Sequence, residues 1–129
     1  MSPYRAYLRF PAWLCRWLCP AKPSDQQTRR VASLRRLREP LVVVSTAHLS
    51  DATFTRLRNN QLSVQTYVHA YGAFLYLGRT LEIAPEETDL REIVEASIQA
   101  EVAWLGFDVE GAVADGWPLF RDPAEERLL

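Results

Sequence analysis

Lysine is nearly missing from this 129-residue chain. Lys22 is the only one, set between Pro20 and Pro23, so lysine-dependent chemistry would rest on a linker residue. Histidine is confined to His48 and His69, and cysteine to Cys15 and Cys19. The four-residue cysteine spacing shares a helix face but aims the Cβ atoms poorly for a bridge, so both read as reduced thiols. No Cys/His pair follows at a spacing that completes a structural zinc site. The chain has no phosphate-binding loop, dinucleotide glycine fingerprint, G-x-S-x-G elbow or H-E-x-x-H helix. No run of eighteen apolar residues occurs, so no membrane span is expected. Residues 1–23 have the basic start and apolar middle of an export signal. However, Arg16 interrupts the apolar stretch and no small-x-small cleavage site follows, so the expected location is cytoplasmic. These absences predict a protein that is not an enzyme and that carries no cofactor and no metal.

What is present is ordinary globular material: 48% hydrophobic and 24% charged residues, in a length that suits one domain with a core of its own. The net charge of −1 conceals a division. Residues 1–40 hold nine Lys/Arg against Asp25 and Glu39, whereas residues 41–129 hold six arginines against fourteen acids. A basic arm before an acidic body implies two surfaces with different partners, or one that folds back on the other.

The arm reads as residues 1–40. If residues 4–19 are helical, Arg5, Arg9 and Arg16 gather within about 40° of one another. Tyr7, Phe10, Leu14, Trp17 and Leu18 cover the far side, and Pro11 interrupts the run. Such a helix either docks on its own domain or seeks a partner groove or a membrane surface. CPAKPSDQQ (20–28) reads as a linker. In RRVASLRRLREP the arginines surround the stripe of Val31, Leu34 and Leu37, which weakens an amphipathic-helix reading. Arg29, Arg30, Arg35, Arg36 and Arg38 form either a solvated face or a set of nucleic-acid phosphate contacts.

The body is residues 41–122, with residues 123–129 an exposed tail. LVVVSTA (41–47) has the pattern of a strand covered on both faces. Ser50-Asp51 supplies an N-cap and acidic first turn for a short helix through Ala52, Phe54 and Leu57, ended by Asn59-Asn60. Residues 64–78 satisfy either one bent strand or a hairpin about Gly72. Pro85 opens a helix whose Glu86, Glu87 and Asp89 complement its dipole, with Leu90, Ile93, Val94, Ile98 and Val102 as the buried stripe. WLGFDVEG (104–111) reads as a strand that carries Trp104 into the core under that helix, and residues 112–120 as a turn and a last short strand. The expected fold is a small α/β or α+β single-domain sandwich with a mixed sheet, in the order β-α-β(β)-α-β-β after a basic helical N-terminal arm.

Three patches, STAHLSDAT (45–53), YGAFLYL (71–77) and WLGFDVEGAVADGWPLF (104–120), stand in an order and spacing that resemble a small bacterial domain-of-unknown-function family seen on plasmids and other mobile elements. The resemblance covers residues 41–122 and leaves out the arm. It implies a compact cytosolic domain carried by mobile DNA, with no chemistry to transfer. Ala73 stands where the family is expected to have a second large aromatic, and Val109-Glu110 where its strand end is more acidic.

His48 sits where a strand meets a helix, among Ser45, Thr46, Ser50 and Asp51; without a nucleophile elbow it reads as a structural corner group. Asp108, Glu110 and Asp115 lack the ligand order of a calcium loop. Alternation along a strand would still pair Asp108 with Glu110, and His48 could complete a divalent-metal site for a metal-assisted enzyme. The first expectation is a non-enzymatic interaction protein, built on residue types that anchor interfaces. Given the resemblance, it is expected to inhibit a host defence complex, of the anti-CRISPR or anti-restriction type. Its contacts would come from Trp13, Arg16 and Trp17 of the arm and from Glu86, Glu87, Asp89 and Glu92, acids that mimic phosphate charge toward a basic groove. The alternative partner is nucleic acid, bound through the arginine-rich arm.

Overall fold

The computed structural model describes residues 24–126. The expectations for Trp13, Arg16, Trp17, Cys15 and Cys19 lie outside the described residues. The chain divides between Arg38 and Glu39, and each side is described by itself.

On the first side, α1 (Asp25–Arg36) starts where Ser24 caps it, accepting the Gln27 amide on its hydroxyl. Of the linker expected over 20–28, residues 25–28 are therefore helical. Asp25 lies at the positive end of this helix and Arg35 and Arg36 at the negative end, which suits the dipole. The helix buries none of its residues; Leu34 is 67% exposed, and Arg29, Arg30, Arg35, Arg36 and Arg38 are all exposed.

On the second side, one mixed sheet carries the fold. Its strands are β1 (Leu41–Ser45), β2 (Tyr67–His69), β3 (Gly72–Tyr76) and β4 (Trp104–Asp108), in the spatial order β1-β4-β3-β2. β4 runs parallel to β1 and antiparallel to β3, and β2 pairs antiparallel with β3. The helices are α2 (Asp51–Arg58), α3 (Thr88–Gln99) and the single turn α4 (Pro123–Glu126). The domain is α+β with a four-stranded mixed sheet, as the pattern predicted.

Period-two alternation sorts the sheet residues. Val44, Ala73, Leu75, Leu105 and Phe107 point to one face and form the core with Leu57 of α2 and Leu90, Ile93 and Val94 of α3. Tyr67, Phe74, Tyr76 and Trp104 occupy the other face, where the Trp104 ring lies 4.9 Å from Tyr76 and 5.9 Å from Tyr67. Trp104 is therefore not under the helix. Its indole N–H donates to Glu39 at 2.9 Å.

Other expectations shift for identifiable reasons. β1 is an edge strand with Leu41 and Val42 exposed; β4, in the middle, is the strand buried along its centre. Residues 64–78 form the hairpin, turning at Ala70 and Tyr71. α3 begins three residues after Pro85, because Glu87 closes a turn onto the Ala84 carbonyl before the helix starts. Ile98, near its end, is exposed. The last strand expected in 112–120 is reduced to one bridge between Val44 and Ala112.

Gly72 shows how closely the hairpin approaches β4. A Cβ there would stand 1.8 Å from the Phe107 carbonyl oxygen, and backbone cannot yield that far. Gly72→Ala should cost at least about 1–3 kcal/mol, read as a lowered midpoint in urea unfolding; an unchanged midpoint would show that the hairpin is not held this close.

Candidate binding surfaces

The corner after β1 is tied to the C-terminal segment by His48. Its ring is buried, at 2% exposure, and both nitrogens are used. The Ala114 amide donates to Nε2 at 2.9 Å, so Nε2 carries the lone pair; the proton is on Nδ1, which donates to the Pro118 carbonyl at 3.1 Å. Around it the Ser45 amide donates to Ala112, the Phe120 amide to Ala47, and Arg121 Nη2 to the Thr46 carbonyl at 2.6 Å. Residues 112–121 are thereby strapped along the end of β1, which explains why they need no ladder of their own.

This use of His48 bears on the metal reading. β4 ends at Asp108, whose carboxylate accepts the Glu110 amide in a tight turn, so strand alternation does not bring the two acids together. Glu110 and Asp115 are exposed, and His48 could ligate only by releasing Ala114. Among the described residues no group of three His, Cys, Asp or Glu could hold a metal ion.

The four acids expected to form one contact face divide into two kinds. Glu86 and Glu92 are exposed. Glu87 is 1% exposed: it accepts from Arg56 at 3.0 Å, from the Ser63 amide at 3.1 Å and from the Ser63 hydroxyl. The same Ser63 hydroxyl accepts the Ala84 amide, so Glu87 closes the loop 59–66 onto the start of α3. Asp89 is half-buried, accepting the Ser50 amide at 2.7 Å and the Thr53 hydroxyl at 2.8 Å. It serves the N-terminus of α2 as well as that of its own helix. Glu87 and Asp89 are thus corrected from contact residues to internal fastenings, because each finds hydrogen-bond donors on a segment distant in sequence. Glu82, Glu95 and Glu101 are exposed and join Glu86 and Glu92 over residues 82–101.

A separate cleft of about 400 Å³ opens at the hairpin turn. Phe54 and Arg58 of α2, Val68, His69 and Tyr71 of the hairpin, Val109 and Arg121 supply its side-chain walls. Arg121 lies 4.4 Å over the Phe54 ring and Arg58 5.6 Å from it. Arg121 also pairs with Asp51 at 2.7 Å. No sequence motif announced this group. Its members come from four separate segments, and only an isolated cation such as Arg58 near a helix end could have hinted at it.

Residues 41–122 match the C-terminal domain of a family of unknown function, DUF5983. The chain belongs to that family. The match has the extent that the three sequence patches indicated. It contains β1 through the strap and leaves out α1, so the His48 fastening and the cleft, but not the basic helix, lie within the DUF5983 domain. No curated protein and no solved structure matches the chain. Among the described residues no helix is long and apolar enough to cross a membrane.

Two substitutions test the fastenings. His48→Ala strands the Ala114 amide and the Pro118 carbonyl and leaves a void, and should destabilise by about 2–4 kcal/mol, with faster hydrogen exchange at Ala114. Glu87→Gln should lower stability by at least about 1–3 kcal/mol, whereas Glu92→Gln should leave the thermal midpoint where it is. Equal effects of the two glutamate changes would contradict the division drawn above.

Proposed function

We propose that the protein acts by binding, as an interaction protein that presents an acidic ridge to a basic surface of a partner protein complex. The observation that carries this reading is the row Glu82, Glu86, Glu92, Glu95 and Glu101. All five are exposed, and among the described residues only Glu86 has an ion-pair partner, Arg56 at 3.5 Å. Arg91 is the only base between residues 82 and 101, and its guanidinium donates to the Ile83 carbonyl. Glu92 and Glu95 lie on α3, and unneutralised carboxylates steer association with a cationic groove and compete there with phosphate. Carriage on a bacterial plasmid or other mobile element, action in the cytoplasm, and inhibition of a host defence complex of the anti-CRISPR or anti-restriction type belong to the same reading. The site involves no bond making or breaking.

The test is capture of a partner complex by the tagged full chain, with and without nuclease, comparing the native sequence with Glu92→Lys/Glu95→Lys. The expected result is a discrete complex that survives nuclease and is lost on charge reversal. Retention by the reversed variant, with its thermal midpoint unchanged, would remove the ridge as the contact.

A second reading has its own support in α1, where Arg29, Arg30, Arg35 and Arg36 are all exposed. As a nucleic-acid contact this helix should give affinity that falls steeply with salt. Replacing the four arginines by Gln should flatten the plot of log K against log salt concentration by up to about four times 0.9. An unchanged slope would dismiss it.

A further inference from the structure

We propose that the cleft at the hairpin turn binds an aromatic ring that carries a phosphate, a ligand of the mononucleotide class. Its volume of about 400 Å³ lies within the range that small ligands occupy. Arg58, Arg121 and His69 line it and no Asp or Glu does among the described residues, although Arg121 is paired from outside the lining by Asp51. The two guanidiniums are held differently. Arg121 is tied down by Asp51 and by the Thr46 carbonyl. Arg58 is exposed, is oriented by the Phe54 ring, and donates to no acceptor among the described residues. A guanidinium positioned by a ring rather than by a carboxylate keeps its planar fork of N–H groups for an incoming anion.

The remaining walls ask for a different chemistry. Val68 and Val109 are apolar, and Tyr71, at the turn of the hairpin, is 63% exposed and so offers a ring face for stacking. The turn that carries Tyr71 is anchored, because the Val109 amide donates to its carbonyl at 3.0 Å. An inorganic anion would leave the apolar walls uncovered, and a neutral ring would leave Arg58 without a counter-charge. A phosphate monoester, close to doubly charged at neutral pH, offers the Arg58 guanidinium, which has no carboxylate partner among the described residues, more charge and more acceptor oxygens than a carboxylate does. The same chemistry is offered by a free mononucleotide and by the 5′-phosphorylated end of a strand.

The experiment is an amide NMR titration of the full chain with AMP, adenosine, inorganic phosphate and a 5′-phosphorylated trinucleotide. AMP should give saturable shifts at Tyr71, Gly72 and Val109, with adenosine and inorganic phosphate each at least about tenfold weaker. Arg58→Gln should weaken AMP at least about tenfold, the loss expected for a charge-assisted hydrogen bond. Its thermal midpoint should move little, since the side chain makes no hydrogen bond among the described residues and only an exposed ring contact with Phe54. Tighter binding of the trinucleotide than of AMP identifies a strand end as the source, and the reverse order identifies the free nucleotide. Absence of saturable shifts at those three amides, adenosine binding as tightly as AMP, or an unaltered affinity in Arg58→Gln would each overturn the proposal.

Discussion

The second half of the molecule depends on a neutral imidazole. β1 has only β4 as a full partner, and its free edge is closed near Ser45 by residues 112–121. Those residues form no ladder beyond one bridge, so something else must hold them. His48 does so with an acceptor nitrogen toward Ala114 and a donor nitrogen toward Pro118, seventy residues away. No other side chain offers one donor and one acceptor on opposite sides of a flat, buried ring. The strap in turn carries Arg121 to Phe54, so one wall of the cleft depends on this fastening at the far end of the segment.

The buried acids follow the same logic. Glu87 follows the exposed Glu86 and Asp89 stands three residues before the exposed Glu92, and they differ from these in what the fold brings near. Arg56 and Ser63 reach Glu87, and Ser50 and Thr53 reach Asp89. A carboxylate surrounded by donors is stable out of water, whereas one without them must stay in it. Within residues 82–101 the acids left in solvent are therefore Glu82, Glu86, Glu92, Glu95 and Glu101, without Glu87 and Asp89.

Two surfaces of opposite character result within the second half. The ridge along α3 presents carboxylates to solvent, while the cleft at the hairpin turn presents guanidiniums and rings. A charged ridge acts at a distance and sets encounter rates; a walled cleft acts at contact and sets which molecule fits. The basic helix α1 adds a cationic surface in the part of the chain outside the DUF5983 match.

Much of the architecture is legible in local chemistry. Ser50 caps α2, Asn59 and Asn60 end it, and Leu90, Ile93 and Val94 mark the buried face of α3, because caps and helical spacing act within a few residues. That residues 41–122 belong to a family of unknown function is legible too, since its patches are short and contiguous. The choice between a hairpin and a bent strand at 64–78, the edge position of β1 and the loss of a final strand are not local. They depend on which strand pairs with which, and β4 takes the central place by pairing with both β1 and β3. Site residues are decided in the same way. His48 could be read as a corner group from its neighbours, but its partners Ala114 and Pro118 could not. The cleft of Phe54, Arg58, Tyr71 and Arg121 exists only once helix, hairpin and strap converge. Sequence alone determined the local turns, caps and apolar faces, whose interactions span one or two turns of chain. Tertiary structure alone decided which charges remain in water, because burial depends on segments that meet only after folding.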